Sequence, residues 1–396
     1  MQNISIIGQG YVGLPLALAA AKCGYQVTGI DLDTKRIESL TNGLSYIEDV
    51  SSSLLRNLLD SGNYTPKDTF ESISHADVIV ICVPTPLDEN LKPDLTYILK
   101  ALAEIVKFIN RGSLVILEST VAPGTTRSLI SGFITSNSKL NSEEFYVAFS
   151  PERIDPSNEN WKVENTPKLV SGINDLSCKK AINFYSRFIA NIHKCDSLEI
   201  AETAKLFENS YRLVNISLVN ELSKFCYVLG IDVNKVIDAA ATKPYGFMRF
   251  NPSVGVGGHC IPVDPKYLTD AANNIGSPFK LIELAFLINL EMAQFYLLRA
   301  ETILGNLENK RILIVGVAYK PNVSDVRETA VKPLIELLRT KNAIVSWHDD
   351  LVKNWNGEKS STISNDFDLA IIATKHDNLD FSKLENVQVL DTSTSI

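Results

Sequence analysis

Short apolar runs alternate with amphipathic stretches along the first half of the chain. Residues 3–7 form an apolar run that predicts a strand, and residues 14–23 carry apolar positions at helical spacing. That helix should end at Gly24, since glycine suits the position after a helix. Residues 27–31 predict a second strand ending in Asp31, and the runs at 78–83, 114–117 and 146–149 predict three more. A helix is expected between strands at 96–109. Strands that alternate with helices build a doubly wound, mostly parallel sheet, here expected to occupy residues 1–196.

The pattern then changes. Residues 197–229 read as one long helix without proline or glycine until Gly230, with Leu206, Leu213, Ile216 and Val219 as an intermittent apolar stripe. Helical density returns at 281–304, so residues 197–305 form a helical middle that carries the glycine-rich loop around Cys260. A long helix of this kind suits a subunit contact, and a homodimer or higher homo-oligomer is expected. Strand and helix signals resume at 311–316, 330–338, 343–347, 368–373 and 387–391, giving a second α/β domain over 306–396. It is a weak echo of the first, with Gly316-Val317-Ala318 at the corresponding turn.

Gly8-Gln9-Gly10-Tyr11-Val12-Gly13 stands between the first strand and the first helix. Gly8 permits the tight turn, Gly10 lets the backbone approach a pyrophosphate, and Gly13 permits close helix–strand packing. Tyr11 and Val12 complete the turn, and the helix N-terminus offers unpaired N–H groups to the phosphates. Asp31, ending the next strand, is placed to accept from the ribose hydroxyls, which favours NAD over NADP. Arg36 leaves a 2′-phosphate contact open. The fold class is therefore α/β: two Rossmann-like doubly wound domains joined by a long central helix and a helical middle domain.

Composition narrows the setting. The 396 residues are 45% hydrophobic and 21% charged, as in ordinary globular proteins. The formal net charge of −8 argues against nucleic-acid or membrane-surface partners. The six cysteines (Cys23, Cys82, Cys178, Cys195, Cys226, Cys260) form no C-x-x-C pair. The chain enters a strand almost at once, without a signal-like segment, and no apolar run approaches the roughly 20 residues that span a bilayer. A reducing cytoplasm is the expected location.

One cysteine stands apart. Gly255-Val256-Gly257-Gly258-His259-Cys260-Ile261-Pro262-Val263-Asp264-Pro265 sets a thiol in a glycine-rich loop far downstream of the dinucleotide signature. Glycines allow close backbone approach to a ligand, and cysteine is the most nucleophilic common side chain. A nucleophilic thiol together with a hydride acceptor points to an oxidation that passes through a thioester.

Further motifs extend the pattern: Val83-Pro84-Thr85-Pro86, Glu118-Ser119-Thr120-Val121-Ala122-Pro123-Gly124-Thr125, Ser150-Pro151-Glu152-Arg153, Glu202-Thr203-Ala204-Lys205-Leu206-Phe207-Glu208-Asn209 and Gly316-Val317-Ala318-Tyr319-Lys320 with Asp325-Val326-Arg327-Glu328. Across essentially its whole length the chain resembles the UDP-glucose/GDP-mannose dehydrogenase family, nucleotide-sugar 6-dehydrogenases that oxidise a C6 alcohol to a carboxylate. The resemblance implies NAD as cofactor and a UDP-sugar as substrate. It implies that Cys260 attacks the C6 aldehyde, that Lys205 and Asn209 stabilise oxyanions at C6, and that Asp264 orients a water. Lys205 and Asn209 share a helix face by their i, i+4 spacing. Thr120 and Glu152 match the other water-handling positions, with Glu152 as candidate base.

Pro84, Thr85, Thr120 and Arg327 fall at positions expected near the cofactor. Substrate anchoring is expected from Phe250, Asn251, Ser253, Gly257 and Lys320, with Arg153 and Arg249, beside Glu152, Lys205 and Asn209. Val263, where UDP-glucose dehydrogenases usually carry lysine, and His259 resemble the branch that acts on UDP-N-acetylhexosamines. Thr242-Lys243-Pro244-Tyr245-Gly246-Phe247-Met248 resembles the UDP-N-acetylglucosamine subgroup. The alternatives are the same chemistry on UDP-glucose or UDP-N-acetylmannosamine, a two-electron hydroxyacid dehydrogenase with no use for Cys260, and a non-catalytic nucleotide-sugar or NAD sensor.

Overall fold

The structure, a computed structural model, describes residues 2–47, 50–155, 158 and 160–395. The chain forms two compact units, Met1–Phe207 with Lys266–Ala271, and Glu208–Pro265 with Ala272–Ile396.

The first unit is built on eight strands: β1 (Asn3–Ile7), β2 (Gln26–Ile30), β3 (Tyr64–Lys67), β4 (Val78–Ile81), β5 (Leu114–Leu117), β6 (Tyr146–Phe149), β7 (Lys168–Gly172) and β8 (Ile192–Lys194). Their order is β3-β2-β1-β4-β5-β6-β7-β8. Neighbours run parallel except at β6 and β7. The helices α1 (Gly13–Lys22), α2 (Thr34–Thr41), α3 (Ser52–Asp60), α4 (Thr96–Phe108), α5 (Gly132–Asn137) and α6 (Asp175–Tyr185) connect them.

Side chains alternate across each strand, so the sheet supports a core on either face. Ile4, Ile6, Val78, Val80, Leu114 and Ile116 pack with residues of α1, α3 and α6. Ile7, Ile79, Ile81, Val115 and Leu117 pack with α4 and α5. Burial on both faces explains why β4 and β5 read as unbroken apolar runs, VIVI and LVIL. The strand order reverses between β1 and β4, which places the first glycine turn at a topological switch point, the usual ligand position of such sheets.

Helix α7 (Leu198–Leu229) starts in the first unit and ends in the second. The second unit continues with α8 (Val233–Ala241), whereas α9 (Asp264–Asn274) gives its residues Lys266–Ala271 to the first unit. The second unit then holds α10 (Lys280–Leu304), β9 (Arg311–Val315), α11 (Val331–Thr340), β10 (Ile344–His348), β11 (Asn354–Trp355), β12 (Glu358–Lys359), β13 (Leu369–Ile372) and β14 (Gln388–Asp391). Four of these strands form a parallel sheet in the order β10-β9-β13-β14.

The expected α/β class, with two doubly wound sheets and helices between them in sequence, is the one observed. One expectation needs refining: by length and composition, α10 is apolar enough to cross a membrane. Its inner row, Ala285, Ile288, Met292, Tyr296 and Ala300, is buried, as are Asn289 and Arg299. It is a packing helix. Strands β3, β7 and β8 gave no sequence signal. β3 contains Pro66 and β8 has only three residues, and both lie at sheet edges, where proline and short length are tolerated. β7 opens on a buried lysine, Lys168.

Candidate active site

At the end of β1 the chain turns sharply. The Gly8 N–H donates to the Ile30 carbonyl at 2.7 Å, and Gly8 sits at φ +91°. A Cβ there would stand 2.6 Å from the Cys82 carbonyl oxygen, and one on Gly13 would stand 1.8 Å from the Gly8 carbonyl oxygen. Gly10 differs: among the described residues, nothing lies within 4 Å of where its Cβ would be. Two glycines close the turn and the third leaves room for a ligand.

Asp31 Oδ2 accepts the Gln9 N–H at 2.8 Å, and Asp31 Oδ1 accepts the Asp33 N–H at 2.9 Å. Arg36 pairs with Asp31 at 3.3 Å and Asp33 at 3.6 Å. Its guanidinium is therefore shared between two carboxylates. Gln9, given no role above, is fully buried and braces the turn from below. Its amide donates to the Ile6 carbonyl at 2.8 Å and accepts from Tyr64 at 2.9 Å, while Tyr46 donates to its backbone carbonyl. The open space at Gly10, the bare start of α1 and the fixed acid together fit a dinucleotide.

Neighbouring strand ends supply the next residues. Pro84 and Thr85 follow β4, and Thr85 is buried. Thr120 follows β5 and Glu152 follows β6; the two loops are tied where the Ser150 N–H donates to the Leu117 carbonyl at 3.0 Å. Glu152 folds back on its own turn, where Oε1 accepts from the Arg153 N–H at 2.6 Å and from the Ile154 N–H. The Arg153 side chain donates to the Pro167 carbonyl at 2.8 Å.

Lys205 lies buried on α7, one turn after Glu202. Glu202 accepts the Gly124 N–H at 2.6 Å and the Thr126 N–H at 2.8 Å, locking the Thr120 loop to the helix that bears Lys205. Burial pushes the Glu202 carboxyl up, and those amides only partly oppose it. Sequence reasoning noted the Glu202 motif but could not see the partner amides, which lie far away along the chain.

In the second unit the structure gathers Asn209, Asp264 and Cys260. The Asn209 amide donates to Asp264 Oδ2 at 2.6 Å, and the Asp264 N–H donates to the Cys260 carbonyl at 2.8 Å. Asn209 and Asp264 are buried, whereas Cys260 is exposed. The cysteine is thus held at an accessible turn whose far end is pinned by a carboxylate–amide pair.

The glycines before it serve close packing. The Gly258 N–H donates to the Arg327 carbonyl at 3.0 Å. A Cβ on Gly258 would meet the Tyr319 ring at 2.8 Å, and one on Gly257 would meet the Glu328 carbonyl oxygen at 3.0 Å. The Cys260 loop and the segment bearing Lys320 and Arg327 are therefore pressed together. Arg327 itself pairs with Asp325 at 2.6 Å.

The anchor segment has its own support. The Ser253 N–H donates to Asn220 Oδ1 at 2.9 Å, and Asn220 donates to Asn289 at 3.2 Å, a buried amide ladder that sequence reasoning missed. Phe250 packs edge-on to Tyr211 with ring centroids 6.0 Å apart. Arg249 pairs with Asp238 and donates to Asn251 at 3.0 Å, so those two anchor residues hold each other.

Known proteins carry the same organisation. Residues 2–189 match the NAD binding domain, 199–291 the central domain and 313–394 the UDP binding domain of the UDP-glucose/GDP-mannose dehydrogenase family. A UDP-N-acetyl-D-mannosamine dehydrogenase of Methanococcus vannielii is 34% identical, over 98% of this chain and 89% of its own. A UDP-N-acetyl-D-glucosamine 6-dehydrogenase of Salmonella typhi is also 34% identical, over 94% of this chain and 90% of its own. The solved UDP-D-ManNAc dehydrogenase of Pyrococcus horikoshii superimposes with a TM-score of 0.91 at 30% identity, over 100% of this chain and 96% of that one. The chain belongs to the UDP-glucose/GDP-mannose dehydrogenase family and is an NAD-dependent nucleotide-sugar dehydrogenase.

Proposed function

We propose that this family member oxidises the C6 hydroxyl of a UDP-N-acetylhexosamine, UDP-N-acetylglucosamine in the first place, to the uronate. The observation that carries the mechanism is the exposed Cys260 thiol on a turn fixed by Asp264 and Asn209. NAD+ held at the Gly8–Gly13 turn would supply the hydride acceptor for each of two oxidations. In the first, C6 loses a hydride and its hydroxyl a proton, giving the aldehyde. The Cys260 thiol adds to that carbon, its proton passing to the aldehyde oxygen, and forms a thiohemiacetal. Loss of a second hydride and proton gives the thioester, and water then displaces the thiol to leave the carboxylate. Lys205 and Asn209 stabilise the oxyanions. Asp264 and Thr120 orient the water, and Glu152 takes its proton.

Gly8, Gly10, Gly13 and Asp31 hold the cofactor with Tyr11, Val12, Pro84 and Thr85, and with Arg36 and Arg327 at its margins. Phe250, Asn251, Ser253, Gly257 and Lys320 hold the sugar nucleotide, with Arg153 and Arg249 beside them. The choice of N-acetylglucosamine follows the resemblance of residues 242–248. N-acetylmannosamine is the second reading, supported by the name of the Methanococcus vannielii relative and the breadth of its similarity. The uronate would serve a surface polysaccharide, made in the cytoplasm.

A homodimer is part of the same reading. Leu281, Leu284, Leu287 and Leu290 of α10 are all exposed, an apolar surface that suits a second copy. Light scattering should give at least twice the 43.7 kDa chain mass, and a monomer that turns over normally would remove the dimer from the reading.

Two NADH per sugar is the expected stoichiometry, and one NADH with an aldehyde product would overturn it. Cys260→Ser should abolish uronate formation while NAD+ binding survives. Ranking kcat/KM over UDP-glucose, UDP-N-acetylglucosamine, UDP-N-acetylgalactosamine and UDP-N-acetylmannosamine decides the sugar.

A further inference from the structure

We propose that Lys168 is a positioning residue for Glu152, acting through the Pro151–Glu152 turn, with Glu118 and Tyr185 as its anchor. The inference rests on the reading of Glu152 as the base that activates the hydrolytic water. Three adjacent strands meet at this point. Glu118 follows β5, Pro151 and Glu152 follow β6, and Lys168 opens β7. Because β6 and β7 are antiparallel, with Phe149 opposite Ser171, the first residue of β7 lies at the edge where β6 ends.

The Lys168 side chain is buried, with 6% of the residue exposed, and Glu118 is buried to 1%. Lys168 Nζ donates to Glu118 Oε2 at 3.0 Å and to the Pro151 carbonyl at 3.4 Å. The Tyr185 hydroxyl donates to the other Glu118 oxygen, and the Lys168 ammonium stands 5.0 Å from the centre of the Tyr185 ring. Burial pulls the Lys168 pKa down, but the charges of Glu118 and Glu152 outweigh it and hold the ammonium above its ordinary value. The amine therefore binds one carboxylate directly and grips the carbonyl that precedes the other.

A buried ion pair is a poor way to hold strands together, since packed apolar residues do so at least as well. A donor to the Pro151 carbonyl has no apolar substitute here. The Glu152 carboxylate is folded onto the Arg153 and Ile154 amides of the same turn, so a shift of Pro151 carries the carboxylate with it. Misplacement of a reacting group by about 1 Å can cost roughly a hundredfold in rate.

The test compares Lys168→Met, Glu118→Gln, their combination and Glu152→Gln by melting temperature, NADH production and mass spectrometry of quenched enzyme for an acyl group on Cys260. Lys168→Met alone strands a buried carboxylate and should destabilise the protein; the double variant should recover stability. Its turnover should nevertheless stay roughly tenfold to a hundredfold low. The sugar KM should fall with it, because slowed hydrolysis leaves kcat/KM unchanged, and the acyl-Cys260 adduct should build up as in Glu152→Gln. A stable double variant with normal turnover, or with slow turnover and no adduct, overturns the proposal while an impaired Glu152→Gln keeps the base reading intact. Normal hydrolysis by Glu152→Gln overturns both. Should the double variant fail to fold, Lys168→Leu with Glu118→Leu fills the site with apolar side chains and removes both the charge and the donor to Pro151. The adduct must accumulate there too, and its absence overturns the proposal.

Discussion

The two sheets begin with turns built on one plan and put to opposite uses. Gly8 and Gly316 each follow the first strand of their sheet at φ +91° and +87°. Their N–H groups donate to Ile30 and His348 at 2.7 and 2.8 Å. In each case an acid after the second strand accepts amides of the turn. Asp31 takes the Gln9 N–H at 2.8 Å, and Asp349 takes the Val317 and Ala318 N–H groups at 2.9 and 3.1 Å. The first turn then opens at Gly10, whereas the second continues into buried Val317 and Ala318. Asp349 is itself buried and meets His376 Nε2 at 3.1 Å, while His376 Nδ1 accepts the Asn322 N–H at 2.9 Å. One acid meets turn amides and the half-exposed Arg36; the other is buried against a histidine of its own unit. Asn322 lies two residues beyond Lys320, so the buried acid fixes the segment proposed to bind the sugar nucleotide.

The comparison breaks most visibly at the glycines. Gly316→Ala puts a Cβ 2.0 Å from the Thr374 carbonyl oxygen at a left-handed φ, and should cost about 3 kcal/mol or more. Gly10→Ala has open space among the described residues and should leave the melting temperature unchanged. Its methyl stands where the pyrophosphate is proposed to approach, so NAD+ affinity should fall at least about tenfold by titration calorimetry. A Gly10→Ala protein that binds NAD+ normally would show that the open space is not the ligand's.

How far the sequence revealed these two turns follows from the range of the interactions. Gly8, Gly10, Gly13 and Asp31 are legible because strand, turn and helix are contiguous and the chemistry is local. The apolar runs of β4 and β5 and the uninterrupted α7 are legible for the same reason. Asp349 and His376 carry no such signal, since their meeting depends on the ends of separate strands being brought together. Glu202 with Gly124, Asn209 with Asp264, and Lys168 with Glu118 are also long-range pairs. A motif shows that such a residue stands in company, and only the fold shows which company. Cys260 was legible through its glycines, yet their partners, Tyr319 and Arg327, were not.

The sealed acid gives a pH signature. Burial alone would raise the Asp349 pKa, but the His376 contact and the Val317 and Ala318 amides outweigh it and hold it at about 2, against 3.8 ordinarily. A depressed carboxyl stabilises the fold in full above the unfolded pKa and loses that contribution as pH falls through the folded one. Asp349 should therefore add about 2 kcal/mol above pH ~4 and lose it toward pH ~2. Urea denaturation of Asp349→Asn should show that deficit at pH 6, narrowing as the pH is lowered to 3. An equal deficit at both values would mean that the loss is steric rather than electrostatic.

The smallest effect belongs to the partner of the open acid. Arg36 contacts Asp31 and Asp33 with its side chain 44% exposed, and exposed pairs of this kind contribute about 0–1 kcal/mol. His376, 3% exposed, leaves both Asp349 and the Asn322 N–H without it when removed. His376→Ala should cost about 1–3 kcal/mol, while Arg36→Ala should stay within about 0.5 kcal/mol. NAD+ affinity in Arg36→Ala should change by less than about threefold, because the Gln9 and Asp33 amides still orient Asp31. A large loss of NAD+ affinity there would mean that the guanidinium, not the backbone, sets the acid, and the two turns would then differ in how they hold their carboxylates as well as in what they hold them for.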